Sequence, residues 1–214
     1  MSERAEYIAY EINGALPESY RRDIELERLR LENDVLKPRH LRERKVLIVG
    51  GAGYIGTIIT KHLLARGYLV RSFDRLIYNH GLTILPHLSH PSFEFMWGDL
   101  TNKDDFDRAL DKGVTDVILL AGLVGDPITQ KYPSLSHQIN EAGHELMLSC
   151  LTKANIERLI FVSTCSNYGL IEDDKLADED FKMNPLSLYA KSKVHVEQAL
   201  LNMKDANRFS STVL

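Results

Sequence analysis

Cysteine is scarce in this chain of 214 residues, which holds only Cys150 and Cys165. Two widely spaced thiols support neither a disulfide framework nor a four-thiolate metal site, so both are expected to stay reduced. Long apolar runs are missing too, and without ~18 consecutive apolar residues a membrane-spanning helix is not expected. The opening MSERAEYIAYEING has neither the basic start nor the apolar stretch of a secretory signal, which makes a cytoplasmic location the expectation. Basic excess is absent as well: 26 Lys and Arg face 30 Asp and Glu, a net charge of -4. Neutralising phosphates dominates nucleic-acid binding, so a nucleic-acid partner is disfavoured. Eight histidines occur with no HExxH-like spacing, and no metal is expected. What remains is an ordinary globular composition, 44% hydrophobic and 26% charged, long enough for one domain with an appendage.

Residues 1 to 44 form a segment of dense mixed charge. From Pro17 to Leu36, Tyr20, Ile24, Leu29, Leu31, Val35 and Leu36 recur among Glu and Arg, the pattern of an exposed amphipathic helix opened by Pro17 and stopped by Pro38. It reads as a packing arm or a partner-binding helix, with no catalytic chemistry of its own. At Lys45 the pattern changes to short apolar runs alternating with helical periodicity, the signature of βαβ units and a parallel sheet. The runs are 45–49, 69–73, 93–96, 116–120, 158–163 and 211–214. Helical spacing links Ile55, Ile58, Ile59, His62 and Leu63, with Gly67 as a stop, and a longer helix runs from Ile139 to Leu151.

Directly after the first run comes Gly50-Gly51-Ala52-Gly53-Tyr54-Ile55-Gly56, with glycines at 50, 53 and 56 where a helix should begin. A glycine trio alone also suits a plain tight turn. Between strand and helix it lets the backbone approach a pyrophosphate while the helix N-terminus offers unpaired N–H groups to the anion. Asp74 ends the second run near the ~20-residue offset of a ribose-binding acid. Its carboxylate favours NAD over NADP, although Arg75 beside it could pair with a 2′-phosphate. Asp74 could instead cap the following turn.

Further on, PLSLYAKSK places Tyr189 and Lys193 four apart, on one face of a helix. An ammonium beside a phenol, together with a positive nicotinamide ring, should lower a tyrosine pKa of ~10 and allow Tyr189 to act as a base. The fifth run ends in Phe161-Val162-Ser163-Thr164-Cys165-Ser166-Asn167-Tyr168-Gly169, at the edge of the sheet that lines a ligand crevice. Cys165 reads as a small apolar filler rather than a nucleophile, since no histidine lies near it in sequence.

The ordered set GGAGYIG, Asp74, Gly98-Asp99-Leu100, LLAGLVGDP (119–127), Asn140, STCSNYG and YAKSK resembles the extended short-chain dehydrogenase/reductase family, in its NAD-dependent sugar-nucleotide epimerase and dehydratase branch, over residues 45 to 214. The resemblance implies a Rossmann-type α/β fold, a doubly wound parallel sheet with the N-terminal helical arm as an appendage. It implies that Gly50, Gly53 and Gly56 surround the pyrophosphate, that Tyr54 and Ile55 supply backbone N–H groups, and that Asp74 holds the adenosine ribose. By the same resemblance Asp99 and Leu100 border the adenine, and Ala121 and Gly122 flank the nicotinamide. Thr164 would bond the reacting hydroxyl, Tyr189 take its proton, and Lys193 bind the nicotinamide ribose. A nucleotide-sugar substrate, a keto-sugar intermediate and a homodimer formed by the Tyr–Lys helix and the long helix before it follow from the family.

Dehydratases of the family place Asp and Glu after the catalytic threonine, where this chain has Cys165 and Ser166. Epimerisation is therefore expected, with dehydrogenation or reduction as the alternative and a non-catalytic NAD-binding regulatory module as a third reading. Two departures concern the nicotinamide wall, Leu120 in place of a histidine and Gly122 in place of a second alanine. The family continues for another ~100 residues past the sixth strand, so a C-terminal substrate domain is expected to be missing after Leu214.

Overall fold

The computed structural model describes residues 44–78, 81–111, 113–171, 176–203 and 209–214. The expected arm up to residue 43, with its helix from Pro17 to Leu36, lies outside the described residues.

Six short strands follow: β1 (Lys45–Val49), β2 (Leu69–Asp74), β3 (Phe93–Trp97), β4 (Val114–Leu119), β5 (Arg158–Phe161) and β6 (Ser210–Val213). All pair in parallel in the order β3-β2-β1-β4-β5-β6. The chain thus winds outward from β1 to one edge, returns beside β1, and winds outward to the other. The reversal between β1 and β4 opens a crevice at the carboxyl ends of the strands. This is the parallel sheet that the apolar runs predicted, in the doubly wound Rossmann form that the family resemblance implied, with strand ends shifted by at most two residues.

Strands buried on both faces explain why the runs read as continuous rather than alternating. Successive β1 side chains point to opposite faces. Val46 and Ile48 join Leu64 of α1 (Tyr54–Ala65), Val70 and Ile118 on one side. Leu47 and Val49 join Phe73, Phe106, Met147 and Phe161 on the other. There they are covered by α2 (Lys103–Leu110), α5 (His144–Leu151) and α6 (Leu188–Asn202). Each such side chain, fully buried, contributes roughly 1.5–3 kcal/mol.

The other end of the sheet is tied by charge. Arg44 bonds Asp116 at 2.5 Å and Glu157 at 2.9 Å. Buried Arg71 pairs with Glu94 at 3.0 Å and donates to the carbonyls of Ala109 and Asp111 where α2 ends, satisfying the negative pole of that helix.

Two features depart from the sequence reading. A 3-10 segment over Gly81–His87 follows β2, anchored by a 2.7 Å bond from the Thr83 hydroxyl to the Ala52 carbonyl. The long helix begins earlier than expected, after α3 (Asp126–Lys131), as α4 (Pro133–His137), and passes through a π-helical turn at Gln138–Gly143 before α5. Such turns recur at functional sites. Among the described residues no helix is long and apolar enough to cross a membrane.

Candidate active site

The phosphate loop is shaped by what a side chain would strike. Gly50 has φ 85°, and a Cβ there would lie 2.6 Å from the Ala121 nitrogen, so the loop presses on the end of β4. At Gly56 a Cβ would meet the Gly50 carbonyl oxygen at 2.6 Å, which fixes the close approach of α1 to the loop. Gly53 caps α1 without a side-chain bond. The N–H groups of Tyr54, Ile55 and Gly56 have no intrahelical acceptor in that first turn, and the helix dipole adds positive potential there. Backbone donors at a glycine-lined helix start form a donor set suited to a pyrophosphate, so the residues present fit a dinucleotide.

Asp74 does two jobs at the end of β2. One carboxylate oxygen accepts from the Ala52 N–H at 3.1 Å and the other from Leu76 N–H at 2.7 Å, so Asp74 both braces the glycine loop and caps the turn. A carboxylate oxygen can accept more than one hydrogen bond, so these two bonds are compatible with receiving ribose hydroxyls as well. Next to it, Arg75 pairs with Asp99 at 2.8 Å.

Across the crevice, the segment after β4 is held from two sides. The N–H and C=O of Leu123 bond the Asn140 amide of the π turn at 2.8 and 2.9 Å, fixing the wall formed by Ala121 and Gly122. Burial pushes the phenol of Tyr78, beyond β2, up.

The residues expected to react sit after β5 and on α6. Ser187 caps α6 by accepting from the Ala190 N–H, which aims the first turn, and Tyr189 with it, at the crevice. Lys193, one turn on, is buried and donates to the Val162 carbonyl at 2.9 Å. Its ammonium lies 4.7 Å from the Phe161 ring centre and 5.9 Å from that of Tyr189. Burial lowers its pKa to about 8. It therefore still carries most of its charge at neutral pH.

Tyr189 departs from the expected direction. Burial, followed by the Asp126 carboxylate, pushes its phenol above the usual value. The lysine does not offset this because its ammonium is directed to the Val162 carbonyl and the Phe161 face. Behind them His144 is fully buried and held neutral, its pKa lowered to about 4 by burial and the Lys193 charge.

One cavity of ≈ 690 Å³ gathers these groups. Its walls include Gly50, Gly53, Tyr54, Ile55 and Gly56 from the loop, and Asp74, Arg75, Asp99 and Leu100 from the ends of β2 and β3. Ala121, Gly122, Tyr189 and Lys193 close the opposite side. Thr164 is the one predicted site residue outside this lining; its hydroxyl accepts from the Ser166 N–H at 3.3 Å at the start of a 3-10 turn, and Ser163 lines the wall in its place.

The profile of the NAD dependent epimerase/dehydratase family matches residues 46–214. The chain belongs to this family. Human sterol-4-alpha-carboxylate 3-dehydrogenase, decarboxylating, is 28% identical over 177 residues, covering 82% of this chain and 44% of that protein. UDP-glucose 4-epimerase of Rhizobium leguminosarum bv. trifolii is 33% identical over 170 residues, 79% of this chain and 50% of that protein. The crystal structure of the Thermus thermophilus UDP-glucose 4-epimerase in complex with NAD superposes with a TM-score of 0.72 at 28% identity, covering 79% of this chain and 53% of that one. The chain spans about half the length of the curated relatives it matches.

Within this NAD-dependent family the site shows residues that periodicity did not reveal. Glu197, one turn beyond Lys193, accepts from the Ser163 hydroxyl and the Asn167 amide, both at 2.8 Å, and so ties the end of β5 to α6. Its i+4 spacing from Lys193 was the available signal. His144 and Asp126 act through burial and charge across the fold, which no local pattern marks. The two cysteines are free thiols, with Cys150 buried as a filler. Cys165 corrects its reading: it is exposed on the 3-10 turn, whose inward-facing residue is Asn167.

Proposed function

We propose that this chain carries the dinucleotide-binding and proton-transfer half of an NAD-dependent nucleotide-sugar epimerase. The observation that carries the reading is the convergence of Tyr189 and Lys193 with the Gly50–Gly56 loop on one cavity. NAD, when bound, supplies a hydride acceptor. Tyr189 removes the proton of the sugar hydroxyl, Ser163, on the cavity wall in place of Thr164, is positioned to orient it, and Lys193 binds the nicotinamide ribose. Held by the Gly50–Gly56 loop, Asp74 and Lys193, the dinucleotide would supply the reversible hydride exchange that inverts a hydroxyl-bearing carbon. The exposed positions after Thr164 carry Cys165 and Ser166, so the second acid–base pair that water elimination needs is missing there. A cytoplasmic enzyme, dimeric through α5 and α6, completes the proposal.

The likeness to the human sterol dehydrogenase favours one second reading, net oxidation of a hydroxysteroid at the same site. Protein incubated with NAD and UDP-glucose is expected to yield the 4-epimer by chromatography, and Tyr189→Phe to lower that rate by roughly 10²–10⁴-fold. NADH accumulating from a 3-hydroxysteroid, with no epimer formed, would move the assignment to the second reading. Equal rates in wild type and Tyr189→Phe would remove Tyr189 from its role.

A further inference from the structure

The end of β2 carries both an acid that suits NAD and an arginine that suits NADP, and the structure indicates how the conflict is resolved. We propose that Asp99 sets the dinucleotide preference by engaging Arg75, so that no guanidinium is offered to a 2′-phosphate. This rests on the reading of the cavity as a dinucleotide site.

A guanidinium beside the adenosine ribose is the group that accommodates a 2′-phosphate. Here Nη1 of Arg75 lies 2.8 Å from Oδ2 of Asp99. The acceptor is itself fixed, because Oδ1 of Asp99 takes hydrogen bonds from the Thr101 N–H at 2.9 Å and the Thr101 hydroxyl at 2.8 Å. The backbone is held in step: Gly98 N–H donates to the Asp74 carbonyl at 3.2 Å, and the Trp97 indole donates to the Arg75 carbonyl at 3.1 Å. These bonds extend the β2–β3 register, in which Asp74 faces Trp97. Both partners line the cavity.

Counting Asp74, Arg75 and Asp99 leaves one net negative charge at this edge. A 2′-phosphate would have to separate the ion pair and then sit beside the released Asp99 carboxylate. A ribose hydroxyl disturbs nothing. Exposed ion pairs contribute little to stability, so the pair can be removed without threatening the fold.

The test compares dissociation constants of NADH and NADPH by fluorescence titration. Asp99→Asn is expected to shift the affinity ratio toward NADPH about tenfold, which corresponds to roughly 1.4 kcal/mol. Adding Arg75→Met to Asp99→Asn should abolish that gain, since the gain comes from the freed guanidinium. An unchanged ratio in Asp99→Asn, or a gain that survives in the double variant, overturns the proposal. Wild type that binds neither dinucleotide is a different failure: it removes the dinucleotide reading itself, and this inference with it.

Discussion

The two sides of the crevice are made of different material. On the β1–β3 side the anion site is backbone: N–H groups at the start of α1, exposed by glycines whose missing side chains leave room. On the β4–β6 side the working groups are side chains whose ionisation is set by burial, with Lys193 lowered to about 8 and Tyr189 raised. On the first side an added Cβ at Gly50 or Gly56 would meet backbone at 2.6 Å. The second is sensitive to the burial and the field around each titrating group.

The largest effect expected from this contrast is steric. Gly56→Val would push a Cβ to 2.6 Å from the Gly50 oxygen, on a backbone that cannot swing aside. Overpacking of this kind costs about 1–3 kcal/mol, and here it falls on the donor geometry, so NADH affinity should drop roughly 10- to 100-fold in a fluorescence titration. Unchanged affinity would mean that the loop is not the anchor and would dissolve the distinction between the two sides.

A comparable effect on stability comes from the other side, with opposite sign. The unfolded lysine titrates at 10.5 and the buried Lys193 at about 8, so below that pH the folded state holds an ammonium that burial penalises. The shift corresponds to about 3 kcal/mol. Lys193→Met should therefore stabilise the protein at neutral pH by up to that amount in urea unfolding while weakening dinucleotide binding. As pH rises from about 8 to 10.5 the wild type regains this stability and the gap should close. A gap that does not depend on pH would assign the effect to packing instead of charge.

That division also decides what was legible. The glycine loop, Asp74 and the central strands β1, β2 and β4 could be read because their physics is local: a turn that excludes side chains, a strand end, an apolar run buried on both faces. Tyr189 and Lys193 could be placed together by helical spacing alone. The upward shift of Tyr189 could not, because it comes first from burial in the folded crevice and then from Asp126 of α3, while the Lys193 ammonium is directed to the Val162 carbonyl. Likewise the π turn brings Asn140 against Leu123, a contact 17 residues apart, and nothing in the run from Ile139 to Leu151 signals it. Cys165 was misjudged for the same reason, since its exposure is decided by a turn after the strand.

His144 gives a test of the same slope per pH unit on the acid side. Its unfolded pKa is 6.5 and its folded value about 4, so the folded state resists protonation that the unfolded chain accepts. Stability should fall as pH drops from 6.5 toward 4, with this residue contributing at most about 1.4 kcal/mol per unit. His144→Gln, which removes the titration but keeps a hydrogen-bonding side chain, should flatten that part of the acid limb. An identical limb in the variant would show that other groups carry it.

The smallest effect probes the field at Tyr189 most directly. Burial is the main reason its phenol is raised, and the Asp126 carboxylate is the second. Removing only the charge, with Asp126→Asn, leaves burial in place, so the tyrosine should stay above its ordinary value but move down. Tyrosine labelled at Cζ, with Tyr189→Phe to assign the resonance, would report the titration by NMR without any substrate. A downward shift would establish that α3 sets the basicity of the reacting phenol, and it predicts a faster proton transfer near neutral pH in the variant. An unmoved titration would leave desolvation as the sole cause and place control of Tyr189 with whatever closes over the crevice.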